Sequence, residues 1–327
     1  MPRNRVLVLA ALGAASTLAL AGCSSTGSPA SSAEDGITVV TSTNVYGQIA
    51  TEIAGDAVTV TPIIKTASQD PHGYEASAGD QLTVQSADLL ITNGGGYDSF
   101  MDALVEGSGS KAPILVAAEY AHDWPGGEAG EDETAELEEH PHSEEEHDHT
   151  HIEGFNEHVW YDPHTVEHVA EAIADELTTL VPDEADAFEA NLQEFTSQIA
   201  ELEASLDEIA AAHPGTQVMY TEPVPGYLVA AAGLTNVMPD AFTEAVEEGQ
   251  DVPPATLLEA LDVLASGDVK ALIANAQTGG SESEQLIDAA DEQGVPVLEF
   301  TETLPDGQTY LQWMQQNVTD LAEALTP

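Results

Sequence analysis

The stretch "PDEADAFEANLQEFTSQIAELEASLDEIAAAH", Pro182 to His213, decides the fold. Phe188, Leu192, Phe195, Ile199, Leu202, Leu206 and Ile209 recur alternately four and three residues apart, the seam of one uninterrupted helix. A helix over the whole stretch, about 30 residues, extends roughly 45 Å at 1.5 Å per residue. That is long for one globular domain and suits a connector between two.

On both sides of this helix, strands and helices alternate. Upstream, "ITVVT" (Ile37 to Thr41), Val58 to Ile64, "LLIT" (Leu89 to Thr92) and "APILVA" (Ala112 to Ala117) read as short buried strands. Helical segments separate them: "VYGQIATEIAG", "QLTVQSAD" (Gln81 to Asp88) and Asp98 to Val105. A helix from about His164 to Leu180, broken at Pro182, leads into the connector. Downstream, Gln217 to Thr221, "KALIAN" and "VPVLEFT" read as strands, interleaved with "GYLVAAAGL", "ATLLEALDVLAS" and "SEQLIDAADEQG" as helices. "YLQWMQQNVTDLAEALT" closes the chain as an amphipathic helix. This alternation predicts an α/β fold: two doubly wound, parallel-sheet lobes joined by a long rigid helix. The boundaries are 37–163 for the first lobe, 164–212 for the helical linker and 213–327 for the second lobe.

Charge excludes several functions. There are 59 acidic residues against five Lys plus Arg, and outside the first five residues only Lys65, Lys111 and Lys270 are basic. Nucleic acid and anionic membrane surfaces both require basic patches, so neither is a partner. A high-salt habitat or an acidic proteome accounts for the total better than a specific function does. From Asp123 to Glu153 the chain is acidic and Gly-rich, without residues to form a core, and reads as a loop. It carries His140, His142, His147, His149 and His151.

At the N-terminus, Arg3 and Arg5 precede an apolar run from Val6 to Leu20, too short to span a bilayer and suited to a signal peptide over 1–22. "LAGC" ends it on Cys23, the only cysteine, and resembles the lipobox of bacterial lipoproteins. That resemblance implies lipidation of Cys23 and an extracytoplasmic protein tied to the membrane through its lipid alone. A Ser/Gly/Pro tether completes residues 23–36.

"HVWYDPHTVEH" (His158 to His168) ends in H-x-x-E-H, the spelling of an inverted zinc-peptidase site formed by His164, Glu167 and His168. Asp162-Pro163 sets His164 at the very start of its helix, however. The apolar stripe through Val166, Val169 and Ile173 leaves both histidines towards its flank. "NGGGYD" (Asn93 to Asp98) lacks G-x-G-x-x-G spacing and a P-loop lysine, and reads as a tight turn at a strand end.

Five landmarks together carry a family resemblance: "DPHGYEAS" (Asp70 to Ser77), "NGGGYD", "HVWYDP" (His158 to Pro163), "TEPVPGY" (Thr221 to Tyr227) and "FTETLPDGQTYLQWM" (Phe300 to Met314). In order and spacing they resemble the solute-binding lipoproteins of zinc and manganese ABC importers, the metal-binding cluster A-I type, from about Ile37 to the C-terminus. The resemblance implies a carrier rather than an enzyme. It implies one divalent ion in the interlobe cleft, Zn2+ favoured and Mn2+ the alternative, delivered by a monomer to a membrane permease and its ATPase. The implied ligands are His72, His158, Glu222 and Glu302, two per lobe. Glu222 stands where many zinc-specific members have histidine; Glu299 and Glu244 are the nearest alternatives to Glu302. The His-rich loop resembles weak zinc-capture loops of zinc-binding members, and a secondary adhesin role is known among relatives. All four positions lie at or beyond the C-terminal ends of predicted strands, where open α/β sheets bind ligands. Two neutral imidazoles and two carboxylates combine borderline nitrogen with hard oxygen and neutralise a divalent charge.

Overall fold

The computed structural model describes residues 36–126, 152 and 154–326. Cys23 and the loop histidines 140, 142, 147, 149 and 151 therefore lie outside the described residues. The first half is built from β1 (Thr38–Thr43), α1 (Asn44–Ala54), β2 (Thr59–Ile64), α2 (Ala78–Gln85), β3 (Leu89–Thr92), α3 (Phe100–Ser108) and β4 (Ile114–Val116). Two long helices follow, α4 (Pro163–Leu180) and α5 (Ala185–Ala212), the latter 28 residues in length. The second half holds β5 (Gln217–Tyr220), α6 (Gly226–Ala231), β6 (Thr235–Asn236), α7 (Asp240–Glu247) and α8 (Pro254–Leu264). It continues through β7 (Leu272–Asn275), α9 (Ser281–Gln293), β8 (Val297–Phe300) and α10 (Tyr310–Ala324).

Each half forms one four-stranded parallel sheet, in the orders β2-β1-β3-β4 and β6-β5-β7-β8. Strand order reverses between β1 and β3 in one sheet and between β5 and β7 in the other. Such a switch opens a crevice at the C-terminal strand ends. Two sequence expectations shift here. The helix expected over Gln81 to Asp88 starts earlier, because Ser77 and Asp80 close a reciprocal capping box that fixes Ala78 as its first residue. β6 and α7, between the helices expected around Tyr227 and Leu258, are only two and eight residues long, too short for a repeat to stand out, and the sequence reading passes over them.

The period of two along the strands sorts their side chains into separate cores. Val40 and Leu90 face outward onto Val84, Phe100, Met101 and Leu104, while Val39, Leu89 and Ile91 face inward. In the second sheet Met219 and Leu272 face an outer core around Phe242, Leu264 and Leu286, and Val218 and Ile273 face inward. The inward faces of both sheets contribute to one continuous core that runs through α1, α4, α5 and α10. On α5 all of the seam residues are buried except Leu192, which packs partly buried against the same core. The two sheets thus share their largest core, which the long helix threads. Close approach at Gly233 helps this packing: its φ is +65°, and a Cβ there would lie 2.9 Å from the Ala210 side chain on α5.

Candidate metal centre

The segments following β2, β5, β7 and β8 converge with the end of α7 on one cavity of about 330 Å³, bordered by His72, Glu222, Glu247 and Glu302. His72 follows β2 in a short turn held by its own backbone N–H, which donates to Asp70 Oδ1 at 2.9 Å. Its ring meets the Tyr97 ring edge-on, with centroids 4.9 Å apart. Tyr97 is placed there by "NGGGYD", which forms the expected turn: Gly94, Gly95 and Gly96 have φ of 77°, 69° and 100°, and a Cβ on Gly94 would run into Val116 at 2.4 Å. Buried Asp98 closes the turn by accepting from the backbone N–H groups of Asn93 and Gly94.

His158 is fully buried, boxed by Tyr97 and Trp160. Asn156 sets its tautomer. The Asn156 amide nitrogen donates to Pro223 O at 3.0 Å, so its Oδ1 points to His158 and can only accept. That oxygen lies 2.8 Å from His158 Nδ1, which must therefore carry the proton and leaves the lone pair of the neutral ring on Nε2. The segment carrying Glu302 and the start of α10 are tied to the His158 segment: Tyr161 donates its hydroxyl to Thr301 O, and Tyr310 donates to Trp160 O, each at 2.7 Å.

Glu302, two residues beyond β8, is almost fully buried, and its backbone N–H donates to Gln277 Oε1 at 2.6 Å. Asn275, at the end of β7, donates one amide to both Glu302 Oε1 (2.6 Å) and Glu222 Oε2 (2.9 Å). Glu222, two residues beyond β5, also accepts from the Thr278 hydroxyl at 2.6 and 2.7 Å.

Ligand atoms of His72, His158 and Glu302 lie within 4.8 Å of one another, and so do those of His72, Glu157 and Glu247. His72 Nε2 is 3.7 Å from Glu302 Oε2 and 3.8 Å from Glu247 Oε1, and His158 Nε2 is 3.6 Å from Glu247 Oε1. Bonds of about 2.0–2.2 Å to a tetrahedral ion set donor atoms roughly 3.3–3.6 Å apart, so this spacing is close to that of a coordination shell. The residues therefore suit a divalent cation, and the site carboxylates pair with imidazoles rather than lysine. Burial, with the neighbouring Glu157, Glu222 and Glu302 charges, pushes the Glu247 carboxyl up to about 10. Burial and the Glu222 charge push Glu302 up to about 8, and burial raises Glu222 despite its hydrogen bonds.

A profile of the family described as "ZnuA: Zinc-uptake complex component A periplasmic" matches residues 39–324. The chain belongs to this family. The manganese-binding lipoprotein MntA of Halalkalibacterium halodurans is 24% identical over 317 residues, covering 94% of this chain and 95% of that protein. The high-affinity zinc uptake system protein ZnuA of Yersinia pestis is 30% identical over 180 residues, about half of each chain at 51% and 54%. Among solved structures, the periplasmic zinc binding protein TroA from Treponema pallidum superposes with a TM-score of 0.70 at 20% identity, covering 89% of this chain and 99% of that one. That likeness shows the two-lobed ZnuA-family fold, with its parallel sheets and interlobe crevice.

The structure brings His72, His158 and Glu302 together and sets Glu222 against the same cavity, outside both clusters. The two alternatives to Glu302 are exposed: Glu299 on β8 and Glu244 on α7. His164 and His168 stack edge-on near the start of α4, with centroids 4.6 Å apart, and His168 Nδ1 lies 3.1 Å from the exposed Glu171. Neither joins a metal-competent cluster among the described residues. Sequence reading missed Glu247 and the donors Asn275, Gln277 and Thr278. Only one signal was available for the donors, since "NAQTGG" follows a strand in the second half as "NGGGYD" does in the first.

Proposed function

We propose that this chain is the extracytoplasmic metal-binding component of an ABC importer. It takes one Zn2+ or Mn2+ ion between its two halves and presents the ion to a membrane permease. The observation that carries this reading is the convergence of two imidazoles and buried carboxylates from both sheets at 3.6–3.8 Å. His72, His158 and Glu302 bind the ion directly in this reading, with Glu222 as the fourth donor of the ligand pattern. The relatives named for manganese and for zinc support both ions as cargo. The permease is driven by a cytoplasmic ATPase, Cys23 carries the lipid anchor, and the carrier acts as a monomer of two lobes (37–163 and 213–327) around the linker 164–212. It performs no catalysis. No described helix is long and apolar enough to cross a membrane.

Metal-stripped protein should bind one equivalent of either ion. His72→Ala and His158→Ala should each weaken binding about 100-fold or more, because each removes one of few donors. Replacing His164 and His168 together should leave affinity unchanged. Loss of tight binding in that double variant, with His72→Ala unaffected, would assign the ion to the peptidase-like motif instead. Cells lacking the gene, starved of zinc or of manganese, identify the transported ion by their metal content.

A further inference from the structure

Glu247 ends α7, the helix that sequence periodicity does not reveal. Its side chain is only 7% exposed, and Oε1 lies 3.8 Å from His72 Nε2 and 3.6 Å from His158 Nε2. Neither carboxylate oxygen receives a hydrogen bond among the described residues. Glu222 differs sharply: Asn275 and Thr278 both donate to it. A carboxylate removed from water without donors stays ionised only beside a cation and otherwise takes up a proton. Both imidazoles of the metal centre face this one, and no lysine pairs with it among the described residues.

We infer that Glu247 is a direct ligand of the transported ion and biases the site towards Mn2+ relative to Zn2+. This inference rests on the carrier reading above. Glu247 adds a fifth donor to the four of the ligand pattern, His72, His158, Glu222 and Glu302. Zinc is satisfied by four donors in a tetrahedron, so one of five is dispensable to it. Manganese accepts a larger, oxygen-rich shell and gains from each added carboxylate. Glu222, positioned by two donor side chains, is the carboxylate that completes the four-donor zinc shell when Glu247 is removed. Glu247 has no such partners.

The test uses the purified full-length mature protein, titrated separately with Mn2+ and, against a chelator, with Zn2+. Glu247→Gln and Glu247→Ala should lower Mn2+ affinity about tenfold or more while changing Zn2+ affinity by less than about threefold. The Mn2+ resonance spectrum of Glu247→Ala should also differ from wild type. Glu244→Gln, on the exposed face of the same helix, should behave as wild type. Metal-free melting confirms that each variant folds. If both Glu247 variants bind both ions as wild type does while His72→Ala does not, Glu247 is not a ligand and the carrier site stands. Equal losses for the two ions would overturn the bias towards Mn2+. If His72→Ala also binds normally, the carrier reading itself fails.

Discussion

Asn156 determines which nitrogen of His158 faces Glu247, and the amide is itself held by a carbonyl from the second half of the chain. The carboxylates are governed by burial instead. Glu302 and Glu247 are held near 8 and 10, far above their ordinary value of 4.5. In the metal-free protein both carry protons at pH 7, while the unfolded chain has released them. Stability is therefore lost as pH rises from about 4.5 towards 8 and beyond, since the unfolded state ionises first. Thermal melts of metal-free protein should show Tm falling from pH 5 to 8, with a shallower fall in Glu247→Gln; identical slopes would refute this electrostatic picture. Metal must displace those protons. Calorimetry at pH 7 in buffers of differing ionisation enthalpy should give about two protons released per ion. Affinity should accordingly keep rising above pH 7, beyond the range of about 6.5 where imidazoles alone titrate. A plateau by pH 7 would mean that the carboxylates are already ionised.

At the scale of elements, α5 is the member on which the rest depends. Its seam meets α1, α4, α6 and α10. Asn191 donates to Ile53 O at 2.9 Å, fastening α5 to the C-terminal end of α1. Phe195 stacks on Tyr310, with centroids 6.2 Å apart, and Tyr310 in turn holds the His158 segment through Trp160 O. Phe195→Ala should destabilise the protein by about 3–5 kcal/mol, the usual cost of emptying a buried aromatic site. Denaturant unfolding measures it, and a loss below about 1 kcal/mol would mean that the seam repacks freely. The connecting helix, the strands and the alternation around them were legible in the sequence because their apolar residues repeat strongly. α7 was not legible. Its eight residues make only about two turns, too short for an apolar face to repeat and stand out in the sequence.

Across the whole molecule, the two sheets are joined by more than a linker. The largest core is continuous through both, and Asn44 clasps the backbone of Leu304 in both directions, donating at 2.9 Å and accepting at 3.0 Å. Opening the halves widely would expose that shared core, at a cost of about 25 cal/mol per Å² of apolar surface. We therefore expect a small movement on metal binding. Scattering curves of metal-free and metal-loaded protein should nearly superpose, and a large change in radius of gyration would contradict this. The sequence by itself determined the α/β class and the connecting helix, because periodicity is a local property of the chain, while its short landmarks pointed to His72, His158, Glu222 and Glu302 through family resemblance. Only the tertiary structure decided that the sheets share a core, that Glu222 is taken up by Asn275 and Thr278, and that Glu247 faces both imidazoles. Those relations join residues dozens to hundreds of positions apart, and in a chain with 59 acidic residues no local pattern singles out Glu247 as a carboxylate that folding sets beside the imidazoles.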